Sequence, residues 1–357
     1  MGMTNIDQIA GKYADIFVAR FSEIDAYGWT KPWISARPDI VPQNISGRAY
    51  HNGNSLFLML VTSVKGYRYP LFMTYNQARN FGASVLKGET SFPVVYWSED
   101  VCDAVTGKKA DITPEEYRLL DKEEKLNYKL RYRMIKNSVF NLDQTDMATA
   151  RPDLVKKIVA KYDTGSAVTV REAEVSKVDK MLMDKSWLCP IKLSDGNSAY
   201  YSLSKDYIEL PSKDHFPDQR HFYGTLFHEM AHSTGHAGRL DRDMTGSFGS
   251  KLYAGEELVA ELSSAILSGI AGLDSTIKEE SLQYLKNWSI AISEDPKLIF
   301  TAVAKASAAA NMICRELKLE QSRGLDLSDL AENKSQSESI SDAMVESSQV
   351  TARHIRM

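Results

Sequence analysis

Apolar positions along this chain change their period several times, and each change predicts an element. From Asn5 to Tyr27, Ile9, Tyr13, Ile16, Phe17, Phe21 and Ile24 recur at helical spacing and predict an amphipathic opening helix. Turn formers dominate from Pro42 to Asn54, after which the unbroken apolar run Leu56–Val61 reads as a strand. Thr74–Gly82 has a Thr cap and a Gly stop, which predicts a short helix. Val85–Glu89 reads as a turn leading into a strand over Phe92–Trp97. Charged residues take over from Glu99 to Lys129, with Pro114-Glu115-Glu116 opening a helix, so this stretch reads as a surface insertion. Strand character returns over Tyr132–Asn141.

A polar linker from Asp143 to about Arg151 precedes a helix over Pro152–Tyr162. Ser198–Tyr201 and Tyr207–Pro211 flank turn formers and predict a hairpin. Helices follow over Asp218–Gly235, Ala254–Leu267, Ser281–Ile292 and Pro296–Leu319. Beyond Leu319 the chain is Ser-rich and acidic with few large apolar residues, the composition of a disordered tail. The fold class that follows is α+β with two domains. A small mixed α/β domain spans 1–146 and carries the insertion 99–129; a second domain spans 147–320, and the tail 321–357.

At 357 residues the chain is long enough for each domain to have its own core. With 43% hydrophobic and 25% charged residues, wholesale disorder is excluded. Cys102, Cys189 and Cys314 are far apart and lack metal-type spacing, so they read as small buried hydrophobes in a reducing compartment. No early run resembles a signal peptide and no 18-residue apolar span suggests a membrane helix. The expected location is cytoplasmic, with no membrane partner.

Net charge of −4 gives no global nucleic-acid signal, but its distribution is uneven. Between Lys31 and Trp97 seven basic residues face only two acids, Asp39 and Glu89. Trp29, Trp33, Tyr50, Tyr67, Tyr69 and Tyr75 are interleaved with those bases. Cations that follow a phosphate backbone, with aromatics on which unstacked bases lie, suit single-stranded nucleic acid. The competing reading places the aromatics in a core and the bases on a solvated face.

The most informative chemistry lies in Thr225–His236, where His228-Glu229-x-x-His232 sits inside an apolar, helix-compatible run. Residues four apart on a helix share a face, so His228 and His232 can present two imidazole nitrogens to one metal ion. Glu229 lies on the adjoining face as a candidate general base, the arrangement of zinc peptidases. Gly235 then ends the helix as a left-handed cap. On the next helix Glu257 and Glu261 are four apart. Glu257 is assigned as the third ligand and Glu261 as acceptor for the second ring nitrogen of a ligand histidine. Glu256 is the rival ligand, because sequence alone does not fix the rotation of the helix. His236 is a second rival, more naturally a helix-end or substrate-side residue; it and Tyr253 are candidate oxyanion or substrate contacts.

Taken together, these stretches resemble the ArdC-type antirestriction proteins of plasmids and other mobile elements. In the first half the resemblance rests on Trp29–Trp33, the loop Asn44–Tyr50, Thr74–Ala78, Lys87-Gly88-Glu89 and Val139-Phe140-Asn141. In the second half it rests on His228–His236 with Arg239-Leu240, on Tyr253–Leu262 and on Asp295–Ala310. The insertion 99–129 and the tail after Leu319 are not parts of that pattern. The resemblance implies an N-terminal single-stranded-DNA-binding domain and a C-terminal zincin-like metallopeptidase domain, protecting incoming DNA from host restriction enzymes during conjugation. Candidate DNA contacts are Trp33, Asn44, Arg48, Tyr50 and Lys87. The implied cofactor is Zn2+, acting through a water whose pKa it lowers towards ~7 and with Glu229 as base, on an unknown protein substrate. The alternative is a non-enzymatic shield for single-stranded DNA whose metal is structural.

Overall fold

The computed structural model describes residues 5–27, 41–163, 170–246, 250–273 and 285–320. Trp29, Trp33 and the tail 321–357 lie outside them. The fold is α+β. In the first half, α1 (Asn5–Tyr27), β1 (Gln43–Asn44), α2 (Asn52–Lys65), β2 (Leu71–Thr74), α3 (Tyr75–Asn80) and β3 (Phe92–Asp103) come in order. Short helices α4 (Pro114–Leu119) and α5 (Lys122–Lys125), then β4 (Tyr128–Asn141), α6 (Met147–Ala150) and α7 (Pro152–Asp163) complete it. The strands form one mixed sheet in the order β1-β2-β4-β3, with β1 parallel to β2 and the other pairs antiparallel.

Alternation along β2 divides two cores between the faces of this sheet. Phe72 enters the larger core with α1 and α2, while Leu71 and Met73 enter a smaller one with Leu154, Ile158 and Tyr162 of α7. Helix α7 therefore packs on the first sheet, although it lies beyond the linker expected at 143–151. The stretch expected as an insertion is largely the far end of one long hairpin: β3 and β4 stay in register from Phe92↔Val139 to Asp103↔Tyr128.

The run Leu56–Val61 is not a strand but the middle of α2. All six of its residues are buried, so the middle of the helix is apolar around its whole circumference and this run shows no amphipathic period. Gly66, in the left-handed region at φ 65°, ends it.

The second half starts with α8 (Glu172–Asp184) and a three-stranded sheet, β5 (Ile191–Ser194), β6 (Tyr200–Ser202) and β7 (Tyr207–Pro211), in the order β5-β7-β6. The expected hairpin is β6–β7, antiparallel from Tyr200↔Glu209 to Ser202↔Tyr207. Helices α9 (Gln219–Ser233), α10 (Lys251–Ile270), α11 (Leu285–Glu294) and α12 (Lys297–Leu317) follow. Among the described helices, α12 alone is long and apolar enough to cross a membrane, a span the sequence pattern did not suggest. Here it carries Ile299, Ala302 and Val303 into the same core as α1 and α2.

The two halves do not keep separate cores. Ala254, Leu258, Val259, Leu262 and Ala265 of α10 belong to one buried cluster with Tyr13, Phe17, Phe57 and Phe72 of the first half. Tyr13 stacks on Phe57 at 3.7 Å and meets Phe300 at 4.9 Å, and Phe21 lies 5.7 Å from Trp288. A Lys297–Asp7 ion pair of 2.7 Å closes the rim. Ala260, Leu267 and Ile270 of α10 instead enter the core built around α9. Helix α10 is the joint of the molecule.

Candidate metal centre

Helix α9 is held at its start by Asp218, whose carboxylate accepts from the backbone N–H groups of Arg220 (2.9 Å) and His221 (3.2 Å). Farther along, its polar residues are buried rather than solvated: His228 is 2% exposed and Glu229 1%. It packs closely on α10, where the Ser264 hydroxyl donates to the Gly224 carbonyl at 2.8 Å. Buried histidines and carboxylates on facing helices need partners or a metal.

They converge on one point. One donor atom each from His228, His232 and Glu257 lies within 4.8 Å of the others. The two Nε2 atoms are 3.1 Å apart, and Glu257 places Oε2 3.3 Å from His228 Nε2 and Oε1 3.5 Å from His232 Nε2. The second nitrogens of both rings turn outward. His228 Nδ1 lies 3.2 Å from Glu261 Oε1, at ion-pair distance though not aligned as a hydrogen bond, and His232 Nδ1 is 3.4 Å from Glu256 Oε1. Carboxylates behind both rings leave two Nε2 atoms and one carboxylate facing inward, a donor set that fits a divalent metal.

Electrostatics agree with that fit. Burial works against charge on His232, but Glu257 and Glu256 outweigh it and push its pKa up to about 10. His228 is likewise raised, burial being outweighed by Glu261 and Glu257. Glu257 is held well below the ordinary carboxylate range, because His232 and His228 overcome its own burial. Metal binding here competes with protonation of the two imidazoles.

Glu256, the rival ligand, has both oxygens committed elsewhere. Arg242 donates to Oε2 from Nε at 3.0 Å and to Oε1 from Nη2 at 2.6 Å. Gly235 is not a left-handed cap. Its role is close approach, since a Cβ there would meet Met244 Sδ and Arg242 Nη2. His236 sits in the turn after α9, its Nδ1 accepting from Gly238 N–H at 3.0 Å. Tyr253 packs from the first turn of α10 against the core shared with the first half. The roles of Arg239 and Arg242 were not visible in the sequence. Arg239 donates to Asp206 and Tyr201 in the β6–β7 hairpin and to the Ser233 carbonyl, which ties that hairpin to the end of α9.

In the first half, Asn44 and Gln77 exchange side-chain hydrogen bonds of 3.0 and 2.9 Å. Tyr50 is packed in the core and burial pushes its pKa up to about 12, so its ring offers no free face for a base; this corrects its expected role. Arg48 is half-buried, close enough for its charge to act on Tyr50 and Tyr96. Lys87 is exposed beside Gly88, which takes φ 89° in the turn. Tyr75 is 51% exposed.

Comparison with known proteins gives both halves a family. Residues 178–305 match a zincin-like metallopeptidase domain. Residues 7–140 match the N-terminal domain of the anti-restriction factor ArdC. The crystal structure of the antirestriction ArdC protein from the R388 plasmid, metal-free, shares this fold with a TM-score of 0.58 and 29% identity, over 87% of this chain and 98% of that one. The two matched domains and this structural likeness support an ArdC-type protein. The Mn(II)-bound structure of the R388 protein matches with a TM-score of 0.54 and 28% identity, over 87% and 99% of the two chains. A DNA primase TraC of Escherichia coli is 33% identical over 292 residues, 80% of this chain but 25% of that protein. The y4eC protein of Sinorhizobium fredii is 29% identical over 293 residues, 81% and 86% of the two. This ArdC-type chain thus spans about a quarter of TraC and most of y4eC. The zincin-like domain and its inward donor set make the centre a site for a divalent metal.

Proposed function

We propose that this ArdC-type protein binds single-stranded DNA through its first half and hydrolyses peptide bonds at the α9–α10 centre, protecting a mobile element's DNA in the cytoplasm of a restricting host. The observation that carries the peptidase reading is the convergence of His228, His232 and Glu257 with Glu229 buried on the same helix turn. A site that merely braced the fold would need three ligands but no additional buried carboxylate beside them.

The bound metal, zinc in this reading, supplies Lewis acidity that polarises a carbonyl oxygen and acidifies water. His228, His232 and Glu257 would hold it, and Glu261 and Glu256 orient the two imidazoles from behind. Glu229 takes the proton of the attacking water and delivers it to the departing amine nitrogen. Strand β6 is an edge strand beside α9, where an extended peptide can add by main-chain pairing. The DNA reading rests on the match to the ArdC N-terminal domain and on the seven-to-two excess of bases over acids between Lys31 and Trp97.

The test is metal content of the full chain. His228→Ala and Glu257→Ala should lose most bound zinc, and Glu261→Ala should weaken it by ~10–100-fold. Full occupancy in Glu257→Ala would remove the third ligand and with it this reading of the centre.

A further inference from the structure

The loop after α9 returns to the metal centre from outside. The Arg242 side chain is 4% exposed and makes four hydrogen bonds. Two grip both oxygens of Glu256 on α10. The others go back to α9 itself: Nη2 to the Ala231 carbonyl and Nη1 to the Thr234 hydroxyl, each at 2.8 Å. Glu256 Oε1 in turn faces His232 Nδ1 at 3.4 Å. The result is a closed circuit from α9 through Arg242 and Glu256 back to a side chain of α9.

We propose that Arg242 and Glu256 act as one clamp that fixes the ring of His232 with Nε2 turned towards Glu257 and His228, which makes Arg242 a positioning residue of the metal centre. An imidazole can rotate about its Cβ–Cγ bond and can carry its proton on either nitrogen. An acceptor at Nδ1 selects the Nδ1–H tautomer and leaves the Nε2 lone pair for a cation. Glu256 alone would be a poor fixture, because a glutamate has three rotatable bonds. The planar guanidinium removes that freedom by binding its two oxygens at once. Backbone bonds hold the loop that delivers Arg242: its N–H donates to the Gly235 carbonyl at 3.0 Å, and Leu240 N–H to the Thr234 carbonyl at 2.9 Å. Gly235 is part of the device, since any Cβ there would collide with the guanidinium and with Met244.

The clamp rests on the metal-centre reading, and one set of measurements separates the two. Zinc affinity of the full chain is measured by competition with a chelator for wild type, Arg242→Leu, Glu256→Leu and the double variant, with the melting of each metal-free protein. Glu256→Leu should weaken zinc by ~10–100-fold. The double variant should lose no more than Glu256→Leu alone, because both substitutions disable one unit. Replacing a buried ion pair with two apolar side chains is tolerated by folds, so the double variant keeps the test open if a single variant fails to fold. With cobalt(II) as a spectroscopic probe in place of zinc, the d–d bands of the wild type should shift in the double variant, because His232 is then no longer held in one orientation. A folded double variant with wild-type zinc affinity and an unchanged cobalt(II) spectrum would overturn the clamp while leaving the metal centre intact. A wild-type chain that binds no divalent metal would overturn both.

Discussion

Glu257 and Leu258 are neighbours on α10, yet their side chains enter different interiors. Glu257 meets the two histidines of α9, and Leu258 packs in the core that the first half shares with α10 and α12. The rotation that presents the ligand is therefore set in part by Tyr13, Phe17 and Phe57, far away in sequence.

That arrangement predicts one cooperative unit. Leu258→Ala should cost about 2–5 kcal/mol, as buried leucines do, and should weaken metal binding although it touches no ligand. Saturating metal should move the whole unfolding transition, by ~2.7 kcal/mol at one hundred times Kd. Denaturant unfolding followed by far-UV circular dichroism and tryptophan fluorescence checks both. Two separated transitions, or Leu258→Ala with undiminished metal affinity, would count against the joint. A fragment ending near residue 146 would lack α10 to α12 and expose this core, so DNA binding is best measured on the full chain.

The chemistry of the centre was legible because its spacing is local. His228 and His232 are four positions apart, as are Glu257 and Glu261, so one helical face follows directly from sequence. The choice between Glu257 and Glu256 was a matter of about 100° of helix rotation, which sequence alone does not fix and tertiary packing determined. What sequence concealed was long-range. Leu56–Val61 is equally apolar as a buried strand or a buried helix, and only its place between α1, α12 and the sheet decides. Arg242 carried no signal in the sequence, because only the turn after α9 brings it back onto Glu256. The shared core was invisible because a hydrophobic face does not name its partner.

Asp218 gives the metal helix a pH-dependent anchor. Burial alone would raise its pKa, but bonds from Arg220 and His221 outweigh that and hold it well below the usual carboxylate range. A folded-state pKa that is depressed contributes stability above the unfolded value of ~3.9 and loses it as pH falls through the folded value. Asp218→Ala should therefore cost about 1 kcal/mol near neutrality, as a lost cap does, with the gap to wild type narrowing below pH ~4. Paired denaturant titrations at pH 7 and at pH 3 measure it. A gap that widens in acid would contradict the assigned sign.

For DNA, the full chain should prefer single strands to duplex and lose affinity steeply as salt rises. Lys87 is exposed, and Lys87→Ala should lower the salt slope by ~0.7, the value of one phosphate contact on a single strand. Arg48→Ala should flatten it as well. Among the described aromatics between Lys31 and Trp97, Tyr75 has an exposed ring: Tyr75→Ala should cost ~1–3 kcal/mol of binding if a base stacks there. Tyr50→Ala should act on folding instead, since its ring is interior. Titrations at several salt concentrations, with melting curves for each variant, distinguish these outcomes; an unchanged slope in both cation variants would move the phosphate contacts elsewhere.

Glu229→Gln separates catalysis from DNA shielding. The substitution preserves size and removes the base, and Glu229 is not among the three donors that converge, so metal content and DNA affinity should stay at wild-type levels. Any peptide hydrolysis should vanish, a loss of at least ~10²–10⁴-fold for a missing general base. The decisive assay introduces DNA by conjugation into a restricting host that contains either wild type or Glu229→Gln. Protection is expected to be undiminished in the variant, because masking a single strand requires occupancy and no turnover, and the basic, aromatic stretch from Lys31 to Trp97 supplies the charge for it. Protection that disappears in Glu229→Gln, with metal and DNA binding intact, would make cleavage of a host protein part of the antirestriction mechanism. In that case the β6 edge and the α9–α10 centre would be where the host protein is recognised, and the search for it would start with proteins of the restriction machinery.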